Sequence, residues 1–106
     1  MSSATASARL SRQGVLQALA NDRDSLREFG VRRLALFGSA ARDEAGAESD
    51  VDVLVVFERK SFRAYVGLLR HLEGLLGRRV DLVIEEALKP AIRDRILAEK
   101  VDVPIG

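Results

Sequence analysis

Two short segments of this chain hold residue types at a spacing that could do chemistry: Leu36-Phe37-Gly38-Ser39 and, after ten intervening residues, Asp50-Val51-Asp52. A strand that runs into Gly-Ser at the start of a short helix leaves backbone N–H groups without intrahelical partners. Those groups, aided by the helix dipole, attract phosphate oxygens. Glycine at position 38 lets a ligand approach the backbone closely. Aspartates at i and i+2 on a strand point to one face, roughly 6.5–7 Å apart along the chain, close enough to hold one or two divalent cations between them. Phosphate together with a metal points to nucleotide chemistry.

The flanking sequence supplies elements able to position these residues. From Leu10 to Phe29, Val15, Leu16, Leu19, Leu26 and Phe29 recur at helical spacing, interrupted at Asn21-Asp22-Arg23-Asp24, so one bent helix or two short ones are expected. Gly30 stops that region, and Arg32 to Phe37 reads as a strand ending at Gly38. Ser39 to Ala45 reads as about one helical turn, and Ala45 to Ser49 as a loop. Asp50 to Phe57, apolar on both faces from Val53 onward, reads as the central strand. Ser61 is placed to cap a helix to Leu76, with Phe62, Val66, Leu69, Leu72 and Leu76 inward and Arg63, Arg70 and Glu73 outward, and Gly77 ends it. Arg79 to Ile84 is a further strand, Pro90 opens a last helix to about Lys100 with Ile92, Ile96 and Leu97 inward, and Val101 to Ile105 is a candidate edge strand.

This order makes an α/β (α+β) domain: a small mixed sheet of three to four strands with helices packed on it. The short connection between the first two strands makes them antiparallel, which sets Gly38 beside Asp50. The helical crossover makes the second and third strands parallel, so their starts share an edge. Asp81, at the start of the third strand, therefore joins Gly38, Ser39, Asp50 and Asp52 at one edge of the sheet. Carboxylates ~6.5 Å apart repel by about 0.6 kcal/mol in water but by about 2.5 kcal/mol at an effective dielectric of ~20, so a partly enclosed trio calls for a cation. Mg²⁺ takes oxygen ligands and shares its shell with substrate phosphates. The competing reading is that the three aspartates are ordinary solvated surface residues and that Ser39 is merely a helix cap.

Composition narrows the field. At 106 residues and 47% hydrophobic, the chain suits one domain, expected over 9–106 after a disordered tail at 1–8. With 17 Lys and Arg against 16 Asp and Glu, the net charge of +1 gives no general attraction to nucleic acid or an anionic membrane, so phosphate recognition must be local. The absence of cysteine excludes thiolate metal sites and a cysteine nucleophile. No leader or spanning segment is evident, and a cytoplasmic location is expected.

The stretch from Phe37 to Val56, with Val80-Asp81-Leu82-Val83 and the ending Leu88-Lys89-Pro90-Ala91-Ile92-Arg93 and Ile96-Leu97-Ala98-Glu99, resembles the minimal nucleotidyltransferases (MNT) of the DNA polymerase beta superfamily. The likeness runs from about Val15 to Val103 and implies the nucleotidyltransferase fold. It makes Asp50 and Asp52 ligands of two Mg²⁺ ions, one travelling with ATP. Asp81 becomes a third carboxylate that helps orient or deprotonate the acceptor hydroxyl, and Gly38 and Ser39 hold the phosphates. The resemblance further implies AMP transfer from ATP to a HEPN-type ribonuclease toxin, neutralised by this chain as antitoxin. Proteins of this group commonly read Gly-Ser-x-Ala-Arg-Gly, whereas Asp43 follows Arg42 here, adding a carboxylate expected near the triphosphate, with Gly46 as a substitute turn. Arg42, one turn after Ser39, is a candidate phosphate ligand or a partner of Asp50 or Asp52.

The expected activity is transfer of a nucleoside monophosphate to a hydroxyl of a partner macromolecule. The alternative is a module that neutralises its partner by occlusion, for which Asp43 is the sequence hint. Transfer to an RNA end is disfavoured by the near-neutral charge and by only five aromatics, four of them core candidates. Arg79 shares strand parity with Asp81 but reads as a solvated strand-start residue. His71 reads as a residue of the polar helix side, without a catalytic part.

Overall fold

The computed structural model describes residues 11–44, 46, 49–59 and 61–105; the expected tail at 1–8 and the expected helix start at Leu10 lie outside them. Two short helices come first, α1 (Arg12–Asn21) and α2 (Arg23–Glu28), broken at Asp22. Ser11 caps α1 by accepting a hydrogen bond from the Gly14 N–H at 2.9 Å. Then follow β1 (Val31–Phe37), the four-residue α3 (Gly38–Ala41), β2 (Val51–Phe57), α4 (Phe62–Leu76), β3 (Val80–Ile84), a 3₁₀ turn (Glu85–Ala87), α5 (Pro90–Glu99) and β4 (Val101–Asp102). Among the described residues no helix is long and apolar enough to cross a membrane.

The four strands form one mixed sheet in the order β3-β2-β1-β4. β1 runs antiparallel to β2 and to β4, while β2 and β3 are parallel and joined through α4. One sheet face makes the core. Leu34, Leu36, Val51, Val53, Val55, Val80 and Leu82 pack there against Val15 and Leu19 of α1, Leu26 of α2, and Leu68 and Leu72 of α4. Val31 joins the same face although it is an odd number of positions from Leu34, because the β1–β2 register shifts between Val31 and Arg33. The opposite face carries Phe37, Asp52, Leu54, Asp81 and Val83, the alternate positions of each strand.

Four expectations about helix faces need correction. Phe62, expected to face inward, is 83% exposed. It is the first residue of α4, and the buried stripe of that helix runs instead through Leu68 and Leu72, with Ala64, Tyr65, Leu69 and Leu76 at its margins. Glu73 does not face solvent, since its Oε2 accepts the Val80 N–H at 3.0 Å and fixes the start of β3. Ile92 is 45% exposed, and among the apolar residues of α5 only Ile96 and Leu97 are half-buried. His71, assigned to the polar side, is half-buried. Its Nε2 lies 2.6 Å from Asp22 Oδ2, and its ring stands against Phe29, so it ties α4 to the break between α1 and α2.

Candidate active site

Strand register builds the site. Asp52 is paired with Phe37 across the antiparallel ladder and with Asp81 across the parallel one, so Asp52 and Asp81 stand side by side on the same face of adjacent strands. Gly38 follows Phe37 directly and thus sits at the same edge. Its φ is +68°, in the left-handed region, and a Cβ built there would overlap the Oδ2 of Asp52. Glycine is thus required at position 38 twice over, by the backbone conformation and by the carboxylate pressed against its Cα. Asp50 precedes β2 by one residue and is exposed, and the Val51 N–H donates to the Arg79 carbonyl at 3.0 Å as the ladder's last bond.

The charges of Asp81 and Asp50 both bear on Asp52. The Asp52 carboxyl is pushed above the ordinary aspartate range, first by burial, then by the charge of Asp81 and that of Asp50, while Arg42 partly opposes the rise. The trio is open all the same: among the described residues no three His, Cys, Asp or Glu side chains are drawn together into a ready metal cage. An all-oxygen donor set whose negative charge Arg42 only partly offsets fits Mg²⁺, which is ordinarily held by one or two carboxylates, waters and substrate phosphates rather than by a closed protein cage.

Ser39 is not the cap of α3. The cap position is Phe37, which has no side-chain hydrogen bond to the helix, so among the described residues no side-chain cap is seen at the start of α3, and Ser39 belongs to its first turn. Among the described residues Arg42 is not ion-paired with Asp50 or Asp52. Its Nε donates to Glu44 Oε1 at 3.0 Å and its Nη1 lies 3.8 Å from Glu99 of α5. The Glu44 hydrogen bond raises its pKa most; desolvation opposes this, and the charges of Glu44, Glu99 and Asp52 add to it. Arg42 is thus in electrostatic reach of Asp52 but parked on glutamates. Arg79 is exposed, as expected.

Asp43 is explained differently from the expectation. Its φ is +61°, so position 43 needs the left-handed conformation that glycine adopts freely, and aspartate is among the few L-residues that tolerate it. The carboxylate is directed at α1, where Oδ1 accepts the Arg12 N–H at 2.7 Å, and it is absent from the charges acting on Asp52. The turn is made at Asp43 itself, so Gly46 is not its substitute. Arg12 returns the contact by donating from Nη1 to the Ala41 carbonyl at 3.1 Å. Sequence reasoning missed Glu44, Glu99, Glu73 and Arg78. The last donates to the carbonyls of Gly46 and Ser49, just before Asp50.

The family model described as a nucleotidyltransferase domain matches residues 19–103 of the chain. The chain belongs to the nucleotidyltransferase domain family. It is a nucleotidyltransferase of the minimal type. The protein adenylyltransferase MntA of Thermococcus cleftensis is 44% identical over 98 residues, covering 91% of this chain and 99% of that protein. A solved chain provisionally assigned as a minimal nucleotidyltransferase superposes with a TM-score of 0.69 at 40% identity, covering 81% of this nucleotidyltransferase and 93% of that chain. The same fold occurs in the complex of a tri-AMPylated Shewanella oneidensis HEPN toxin with an MNT antitoxin, at a TM-score of 0.60 and 21% identity, over 83% of this chain and 71% of that one.

Proposed function

We propose that this nucleotidyltransferase transfers AMP from ATP to a hydroxyl of a partner protein and acts as the antitoxin of a HEPN-type toxin in the cytoplasm. The observation that carries the chemistry is the register of Asp52 with Asp81, with Gly38 closed against Asp52. The acceptor class is supported by the near-complete coverage of a relative named for protein adenylylation and by the fold shared with a chain of a toxin–antitoxin complex. Nucleic acid is not proposed as a direct partner.

Asp50, Asp52 and Asp81 would hold two Mg²⁺ ions, which when bound supply charge neutralisation at the phosphates and acidify the acceptor hydroxyl. The residues of the chain do the rest. Gly38 and Ser39 offer backbone N–H groups to phosphate oxygens, and Arg42, released from Glu44, offers a guanidinium. Asp81 accepts the proton of the acceptor hydroxyl as its oxygen attacks the α-phosphorus; the bond to the bridging oxygen breaks and pyrophosphate leaves. Asp52, whose pKa is raised by burial and by the charges of Asp81 and Asp50, must be ionised for this arrangement, so activity is expected to fall as its carboxylate becomes protonated in acid. Catalysis of this kind consists of positioning and charge neutralisation. Occlusion without catalysis is the second reading; the Asp43 carboxylate that hinted at it accepts the Arg12 N–H at the start of α1.

The test incubates the purified protein and its partner with labelled ATP and Mg²⁺, beside Asp50→Ala and Asp52→Ala. Label on the partner that vanishes in both variants is expected. Variants that neutralise the partner as well as the parent does would overturn the transferase reading.

A further inference from the structure

We infer that Arg78 is a positioning residue for the metal-holding edge, acting through the turn that delivers Asp50; the inference rests on the metal reading proposed above. Asp52 and Asp81 are locked by strand ladders, but Asp50 lies outside β2, where the ladder to β3 has ended. Its charge also opposes that of Asp52, so neither the ladder nor attraction holds it beside the other carboxylates.

The turn before it is held instead by side chains. The Gly46 N–H donates to Ser49 Oγ at 3.0 Å and the Ser49 N–H donates to the Gly46 carbonyl at 3.3 Å, which closes the turn on itself. Arg78, half-buried in the connection between α4 and β3, then donates from Nη1 to the Gly46 carbonyl at 2.6 Å and to the Ser49 carbonyl at 3.3 Å. The Ser49 carbonyl belongs to the peptide unit immediately before Asp50. One nitrogen thus fixes both ends of the turn and references it to β3, the strand that carries Asp81. Arg78 is not among the charges that shift Asp52, so its action is on backbone position rather than on the field at the carboxylates.

Residues that orient metal-holding groups from behind typically change metal affinity by 10- to 100-fold when removed. Arg78→Gln is therefore expected to weaken Mn²⁺ binding, read directly by paramagnetic resonance without nucleotide turnover, by about 10-fold, with Arg78→Lys restoring most of it. In the transfer assay the requirement for Mg²⁺ rises by the same factor while the rate at saturating Mg²⁺ recovers. Ser49→Ala opens the same turn without touching the α4–β3 connection and is expected to act in the same direction, which covers the case in which Arg78→Gln fails to fold. Parental Mn²⁺ affinity in folded Arg78→Gln, or in Ser49→Ala should the former not fold, overturns the inference while leaving the metal reading intact. A parent protein that binds no Mn²⁺, with Asp50→Ala no different from it, defeats the metal reading and the inference together.

Discussion

Replacing Gly38 by alanine separates what the backbone requires from what the site requires. The residue has φ +68°, so an alanine there pays the left-handed penalty of roughly 1–2 kcal/mol. In a domain of this size each kcal/mol lowers the melting temperature by about 4–8 °C. Gly30, with φ +83°, carries the same penalty but has no atom within 4 Å of a built Cβ, whereas at Gly38 the added methyl would occupy the place of Asp52 Oδ2. The Asp52 carboxylate must then move by something on the order of 1 Å, a misplacement that costs about 10²-fold in rate. Both variants are thus expected to melt lower by similar amounts, and only Gly38→Ala is expected to lose AMP transfer. Initial rates at saturating ATP and Mg²⁺, taken well below both melting temperatures, read the second effect separately from the first. A Gly38→Ala protein that turns over within about threefold of Gly30→Ala would refute the claim that glycine at 38 serves the carboxylate.

Asp52 sets a pH signature. Its folded pKa is raised above the unfolded one, so ionisation destabilises the metal-free protein fully above the folded pKa, and the cost disappears as pH falls through it toward the unfolded value. Without divalent cation, Asp52→Asn is expected to melt higher than the parent at neutral pH and alike in acid, while abolishing transfer; a lower melting temperature at neutral pH contradicts the assignment. Asp43→Gly removes a carboxylate that faces α1 rather than the site, so transfer is expected within about twofold of the parent, measured by the same label assay. Phe62→Ser, at an 83% exposed position, is expected to change stability by no more than about 0.5 kcal/mol. Leu68→Ala, at a fully buried one, should cost about 2–5 kcal/mol in denaturant titration.

The parts legible in the sequence are those governed by neighbours along the chain. Ser61 and Gly77 bound α4 because capping is local chemistry. Asp52 and Asp81 share a face by strand parity, and connection lengths alone made β1–β2 antiparallel and β2–β3 parallel, which brought Asp81 to the edge where it is found; Asp50, expected as the first residue of β2, lies one residue before it. What only the tertiary structure decided is where side chains reach between elements. The rotation of α4 that exposes Phe62 and buries Leu68 depends on how the helix meets the sheet, and the sequence pattern tolerates either face. Arg42 rests on Glu99, Asp43 on Arg12 and Arg78 on Gly46 and Ser49, pairs separated by 29 to 57 positions, and no periodicity encodes such meetings. The residue types that could do the chemistry and their order on the sheet follow from local rules. The distances that let Gly38 touch Asp52 and Arg78 hold the turn before Asp50 follow from packing, because only the folded core fixes one element against another.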